Sequence, residues 1–340
     1  MFARMRELAR QIAILMVDEL GTVGLMERLS DPFWFQALGS LLGFDWHSSG
    51  LTTTTGAALK EGISGLEKDL GLFIAGGKGR ASRRTPQEIE EWGPELKVDP
   101  AKLIYASRMS AKVDSSALQD GYQIYHHLFI FDRAGHWAVV QQGMNEQNRY
   151  ARRYHWLEGL RPDFNFVEEP HAAICSERRD KALNLVAHES DEARQVSSEL
   201  AREQPERLTK ELKRLQELAL PPRHHLLLQD IHPERLERIF IKTYERQPED
   251  FEQLLGMEGV GPKTIRALAL LSELVYGAEI SWRDPARYSF AHGGKDGHPY
   301  PVDRRGYDRT ISVLKRAVER AKLGRRERLE ALRRLARWSG

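Results

Sequence analysis

Leu254-Leu255-Gly256-Met257-Glu258-Gly259-Val260-Gly261-Pro262-Lys263-Thr264, followed by the apolar run Ile265 to Leu274, is the stretch on which the reading of this chain turns. It predicts a short helix over Glu249 to Leu255, a hairpin turn and a second helix. Gly259 and Gly261 free the backbone to take positive φ and to come close to another molecule. Pro262 suits the first position of a helix, because the N–H it lacks is one that a helix start leaves unused. The remaining first-turn N–H groups point outward, with the positive end of the helix dipole, at any anion placed there. Lys263 and Thr264 add a charge and a hydroxyl. The plainer alternative is a glycine-rich turn between two packed helices.

Taken whole, the pattern of hydrophobic residue, Gly, hydrophobic residue, Gly, Pro, Lys, Thr and apolar helix resembles a helix-hairpin-helix, a module that contacts phosphates without reading bases. A partner of that kind cannot be argued from overall charge. The 340 residues carry 51 Lys and Arg against 49 Asp and Glu, a net charge of +2. Local distribution has to carry the argument. Basic residues crowd at Lys78 to Arg84, with Lys78, Arg80, Arg83 and Arg84 among glycines, and again from Lys315 to Arg337. Cys175 is the single cysteine, which excludes a disulfide framework and a cysteine zinc finger and fits a reducing cytoplasm. The early apolar run Ile12 to Val17 is too short to span a bilayer, so neither a membrane partner nor secretion is expected.

Periodicity divides the chain into an α+β unit and a helical one. Residues 1–220 read as an α+β catalytic domain. Within it Met1 to Leu29 predicts two amphipathic helices, and Ser30-Asp31-Pro32 starts another. Thr85-Pro86-Gln87-Glu88 reads as a capping box whose helix ends at Gly93-Pro94. Leu103 to Ser107, Tyr122 to Phe131 and His136 to Gln142 read as strands, the last two joined through Asp132-Arg133-Ala134-Gly135. Pro221-Pro222 marks a boundary. Residues 221–280 form the hairpin domain, with a leading helix over Pro233 to Tyr244. Residues 281–340 hold a Gly/His-rich segment, Ala291 to Pro301, and two basic helices.

The chemistry-bearing side chains gather in Arg108 to Asn145, where Lys112, Asp114, Asp120, His126, His127 and Gln142 surround a hairpin. Side chains alternate along a strand, so His126 and His127 face opposite ways. Carboxylates with an occasional imidazole suit Mg²⁺ or Mn²⁺, whereas zinc asks for more nitrogen or sulfur. Asp114 and Asp120 are the leading ligands, with Asp45, His47 or His127 completing the set. Lys112 or Arg108 would neutralise charge on a phosphate. Glu168, Glu169 and His171 form a third polar knot. Converging, such segments would build a metal site that activates water. Lys263 has a second reading. In helix-hairpin-helix glycosylases with lyase activity the lysine after the hairpin is an amine nucleophile, and a downstream Val-Asp supplies a carboxylate. Val302-Asp303 resembles that element at a longer spacing, and the lysine would need a desolvated setting.

Ser30 to Gln36, Gly43 to Ser49, Gln119 to Gln123, His126-His127, Gln141 to Asn145 and Ser289 to Asp303 together resemble a family catalogued as domain of unknown function seven-six-three, over essentially the whole chain. The resemblance implies a thermophile-enriched DNA-processing protein, a metal-dependent endonuclease with a helix-hairpin-helix. Members of that family usually begin with a Leu-Pro-Leu-His and glycine segment, which this chain lacks. If that histidine serves the site, the site here is incomplete. The expectation is therefore Mg²⁺- or Mn²⁺-assisted hydrolysis of DNA selected by shape, with a homodimer placing two hairpins on one duplex. A glycosylase/lyase using Lys263 and Asp303 and a non-catalytic DNA binder are the alternatives.

Overall fold

The computed structural model describes residues 2–43, 50–158, 164–217, 231–288, 312, 314–316, 318–319 and 331–332. Asp45, His47, Asp303, Ala291 to Pro301 and most of the two basic helices expected at the end lie outside them.

The centre is a five-stranded sheet, all antiparallel, built from β1 (Leu72–Lys78), β3 (Gln123–Asp132), β4 (Trp137–Met144), β5 (Ala151–Leu157) and β6 (His171–Ser176) in the order β1-β3-β4-β5-β6. A two-stranded ribbon pairs β2 (Leu118–Gln119) with β7 (Leu183–Asn184). The α+β expectation holds at this level. The turn between β3 and β4 forms because the Asp132 carboxylate accepts from the N–H groups of Ala134 and His136, at 2.9 and 3.0 Å.

Each sheet face is covered by helices, which is why the strands read as nearly continuous apolar runs. One face, with Leu72, Ile74, Leu128, Ile130, Ala138 and Val140, packs on α1 (Phe2–Ser30), α2 (Pro32–Leu42) and α3 (Gly50–Ile63). The expected two N-terminal helices are present within Phe2–Ser30, divided at Gly21, whose φ of +73° is non-helical. Asp31 caps α2 as anticipated, accepting from the N–H of Phe33 and Trp34. Helices α4 (Glu67–Leu70), α5 (Arg80–Arg83) and α6 (Thr85–Glu91) flank β1.

The other face carries Phe73, Ala75, Phe129, Val139, Tyr154 and Trp156 into a second core. Onto it pack α7 (Pro100–Lys112), α8 (Asp191–Leu200), α9 (Pro205–Glu217), α10 (Pro233–Arg246), α11 (Phe251–Gly256) and α12 (Pro262–Tyr276). Leu254, Leu255, Val260 and Ile265 thus share a core with the sheet, although Pro221-Pro222 had marked a boundary between them.

Two local expectations are corrected. Leu103 to Ser107 lies inside α7, because Asp99 caps the N–H of Ala101 and Pro100 sets the first turn, while Leu103, Ala106 and Met109 fall on one buried helical face. Thr85 does not cap α6; its hydroxyl donates to the Ser82 carbonyl at 2.8 Å. Glu88 instead accepts from the Gly76 N–H at 2.8 Å and from Lys60 at 2.6 Å.

Gly76 is the tightest point of the sheet. It sits at φ +87°, and a Cβ there would lie 2.2 Å from the His127 carbonyl oxygen. Gly76→Ala should lower stability by about 1–3 kcal/mol from backbone strain alone, with a further steric loss, read as a reduced urea midpoint.

Candidate functional site

Helix α7 does not end in an ordinary cap. It passes into a π-helical turn, Val113–Ala117, which carries Asp114 into the core with its carboxylate fully buried. Three donors from three strands meet it. Gln141 Nε2 of β4 donates to Oδ2 at 2.5 Å, Trp156 Nε1 of β5 to Oδ2 at 2.9 Å, and His171 Nε2 of β6 faces Oδ1 at 2.5 Å. The sequence offered Asp114 and His171 in separate polar segments, and the fold brings them together.

A β-bulge makes this possible. His155 pairs with Ala173 and Trp156 with His171, so Ala172 is skipped and His171 returns to the face that holds Asp114. Ala172 packs instead toward the N-terminal helices.

Asp120 lies at the other end of the same face. It accepts from Arg152 Nη1 at 2.8 Å, from Tyr154 Oη at 2.7 Å and from the Tyr122 N–H at 3.1 Å. Arg152 reaches on to Asp284 at 2.6 Å and stacks 4.4 Å over the Tyr122 ring. Burial works against the Arg152 charge, but Asp120, Tyr154 and Asp284 outweigh it and hold its pKa above the ordinary value.

His127 is connected to this system through Gln141. Its Nδ1 is 2.8 Å from Gln141 Oε1 and its Nε2 2.9 Å from Ser107 Oγ. Gln141 Oε1 can only accept, so Nδ1 carries the proton and Nε2 receives that of Ser107. Burial lowers the His127 pKa, against the Gln141 hydrogen bond and Asp114.

The expected metal constellation takes a different form. Asp114 and Asp120 each accept three hydrogen bonds from the protein, which fills most of their lone-pair directions. Among the described residues no three His, Cys, Asp or Glu side chains are placed to hold an ion. The described members of the expected set do not fit Mg²⁺ or Mn²⁺.

Lys112 does not await a phosphate. Its ammonium donates to the carbonyls of Met257 and Val260 at 2.9 and 2.5 Å, and burial lowers its pKa. Arg108 is exposed. The turn between α11 and α12 is held from below by Lys112 and by Gln119, whose Nε2 donates to the Pro262 carbonyl at 2.8 Å while its Oε1 accepts from Arg266. Gly259 takes φ +88°, Pro262 opens α12, and Lys263 is exposed. Val260 and Thr264 are each 2% exposed, so the Thr264 hydroxyl expected at the surface turns inward. Lys78, Arg80, Arg83 and Arg84 are exposed around the end of β1.

The opposite sheet face bears its own polar row: Lys78, His126, Gln142, Arg153 and Cys175 are consecutive partners across all five strands. His126 and His127 do face opposite ways. Arg153 donates to Gln36 at 3.0 Å and to His155 at 2.8 Å. Burial pushes the Cys175 thiol up to about 11 against the nearby Arg153, which leaves it unreactive. His126 is 1% exposed with no hydrogen bond to either ring nitrogen among the described residues, and burial, then His127 and Lys78, depress its pKa to about 3.

A cleft of about 430 Å³ opens beside Asp114, between β6 and the segment Arg283 to Tyr288. His171, Arg179, Asn184, Arg283 and Arg287 line it. Of these only His171 stood out in the sequence; the arginines are spaced as ordinary surface residues and become a group only through the pairing of Tyr288 with Cys175.

A family model described as "Protein of unknown function (DUF763)" matches residues 1–302. The chain belongs to that family. No curated protein and no solved structure matches this DUF763 chain significantly. No helix among its described residues is long and apolar enough to cross a membrane.

Two outcomes follow from the buried groups. Asp114→Ala should cost about 3–5 kcal/mol in urea unfolding, because three buried donors lose their acceptor, and Asp114→Asn should cost less. His126 stays neutral when folded but takes a proton near pH 6.5 when unfolded. Its contribution is therefore complete above that pH and is lost toward about 3, at about 1.4 kcal/mol per pH unit. His126→Leu should leave stability at pH 7 equal or higher and flatten the decline from pH 7 to 5 by that slope.

Proposed function

We propose that this protein binds DNA through its sugar–phosphate backbone, using the turn Met257 to Gly261 and the start of α12. One observation carries the reading. The first turn of α12 is unobstructed: no side chain caps it, a Cβ built on Gly261 meets nothing within 4 Å, and exposed Lys263 stands beside it. Free N–H groups at a helix start with an adjacent cation suit a phosphate. Lys112 and Gln119 fix the turn, so little ordering would be needed on binding. Lys78, Arg80, Arg83 and Arg84 supply a second exposed basic segment for the same polyanion.

Phosphodiester hydrolysis of such DNA, structured or partly single-stranded, would need an Mg²⁺ or Mn²⁺ site that the described residues do not supply, since Asp114 and Asp120 are each held by three protein donors. It is separable from binding. The lyase alternative draws less support, since Lys263 is exposed rather than enclosed in the apolar pocket that an amine nucleophile needs.

Gly261 is extended, at φ −139°, so a larger residue there blocks close approach without straining the fold. Gly261→Leu and Lys263→Glu should each weaken binding to duplex, bubble, flap and single-stranded DNA at least about tenfold in fluorescence anisotropy, with unchanged melting. Log affinity should fall with log salt, less steeply in Lys263→Glu. Equal affinity of both variants and wild type would remove the backbone-binding reading. Cleavage of labelled DNA that requires Mg²⁺ or Mn²⁺ and stops with chelator supports the hydrolase; binding without cleavage under any divalent ion leaves an architectural binder.

A further inference from the structure

The cleft beside His171 holds polar side chains that the hairpin does not use. Its lining has three guanidinium groups, Arg179, Arg283 and Arg287, against two carboxylates, Glu169 and Asp284. Asp284 is already bound by Arg152 at 2.6 Å and by the N–H groups of Asp180 and Ala286. Arg283 meets Glu189 at 3.3 Å with its side chain 65% exposed, and Arg287 reaches Glu169 only at 4.0 Å. Within the lining the guanidinium groups thus outnumber the carboxylates, and one of those carboxylates, Asp284, is already engaged.

Two further groups are placed inside. Asn184 lines the cleft at 3% exposure; its Nδ2 donates to the Arg283 carbonyl at 3.3 Å, while its buried Oδ1 has no partner among the described residues. His171 turns Nε2 to Asp114, and Nδ1 has no hydrogen-bond partner among the described residues. The ring cannot swing away, because Asp114 is fixed by Gln141 and Trp156, and the Trp156 ring lies 4.5 Å from it. This is an oriented imidazole backed by a carboxylate, presented to a basic cleft of ordinary ligand size.

We propose that this cleft binds a phosphate monoester. The arginines would carry the dianion, since guanidinium forks match phosphate oxygens. His171, protonated on both ring nitrogens, would donate Nδ1–H to a phosphate oxygen while Nε2–H stays on Asp114. Two sources share this chemistry, a free nucleotide and the phosphorylated end of a DNA strand.

The test uses the full chain and isothermal titration with inorganic phosphate, adenosine monophosphate, adenosine, and single-stranded oligonucleotides with and without a 5′-phosphate. The monophosphate should bind at least about tenfold more tightly than adenosine, and the Arg283→Ala/Arg287→Ala double variant should lose that preference. These exposed arginines leave the fold intact. His171→Gln, which keeps the donor to Asp114, should weaken the monophosphate while its melting temperature stays near wild type. A 5′-phosphate preference of the oligonucleotide, abolished by the double variant, would identify the strand end as the source; its absence with monophosphate binding retained would identify the nucleotide. Equal binding of adenosine and its monophosphate, or no effect of the arginine substitutions, would overturn the proposal. Gly261→Leu should leave monophosphate binding unchanged, so loss of DNA affinity at the hairpin and failure of the cleft are distinguishable.

Discussion

A carboxylate with no exposed surface organises one half of this molecule. Asp114 can stay in the core only because three strands each send it a donor, and those donors can reach it only if β4, β5 and β6 hold their register. An unpaired buried charge costs several kcal/mol, so the register and the acid sustain one another. The π-helical turn is part of that agreement, since it sets Asp114 inward at the end of α7 while Lys112, two residues before, reaches the hairpin carbonyls. Structure around the acid and structure around the hairpin are continuous along residues 112 to 120.

The two sheet faces solve the burial of polarity differently. On the Asp114 face the polar atoms form a connected system, from Ser107 through His127 and Gln141 to Asp114 and His171. On the opposite face Arg153 is surrounded by neutral acceptors, Gln36, His155 and the Pro32 carbonyl, and by the ring of Phe35 at 4.7 Å. His126, two strands away in the same row, is neutral and has no hydrogen-bond partner among the described residues. Connected networks reinforce each other in a medium of low dielectric constant, and isolated groups raise the cost of the site.

Much of the secondary structure is legible in the residues. The Asp31-Pro32 cap, the Asp132 to Gly135 turn, the hairpin glycines with Pro262, and the opposite facing of His126 and His127 follow from local rules that the fold leaves alone. Leu103 to Ser107 misleads because a short apolar run does not distinguish a strand from a helix, and the Asp99-Pro100 start decides it. The candidate site is legible only in part. Composition draws attention to Asp114, Asp120 and His127, but acceptors are satisfied by partners far away in sequence. Arg152 and Gln141 look like ordinary strand residues until pairing aligns them. The skipped Ala172, which sets the orientation of His171, leaves no trace in local sequence at all.

The shared core beneath the hairpin has a consequence for how this architecture can change over evolutionary time. Helices α11 and α12 bury Leu254, Leu255, Ile265 and Leu268 in one core with side chains of the sheet, of α7, such as Met109, and of the π-helical turn, such as Val113. Cut loose, they would bare that apolar surface on both sides. The pair is therefore poorly suited to recombination as a transferable cassette, and its descent is tied to that of the sheet on which it rests.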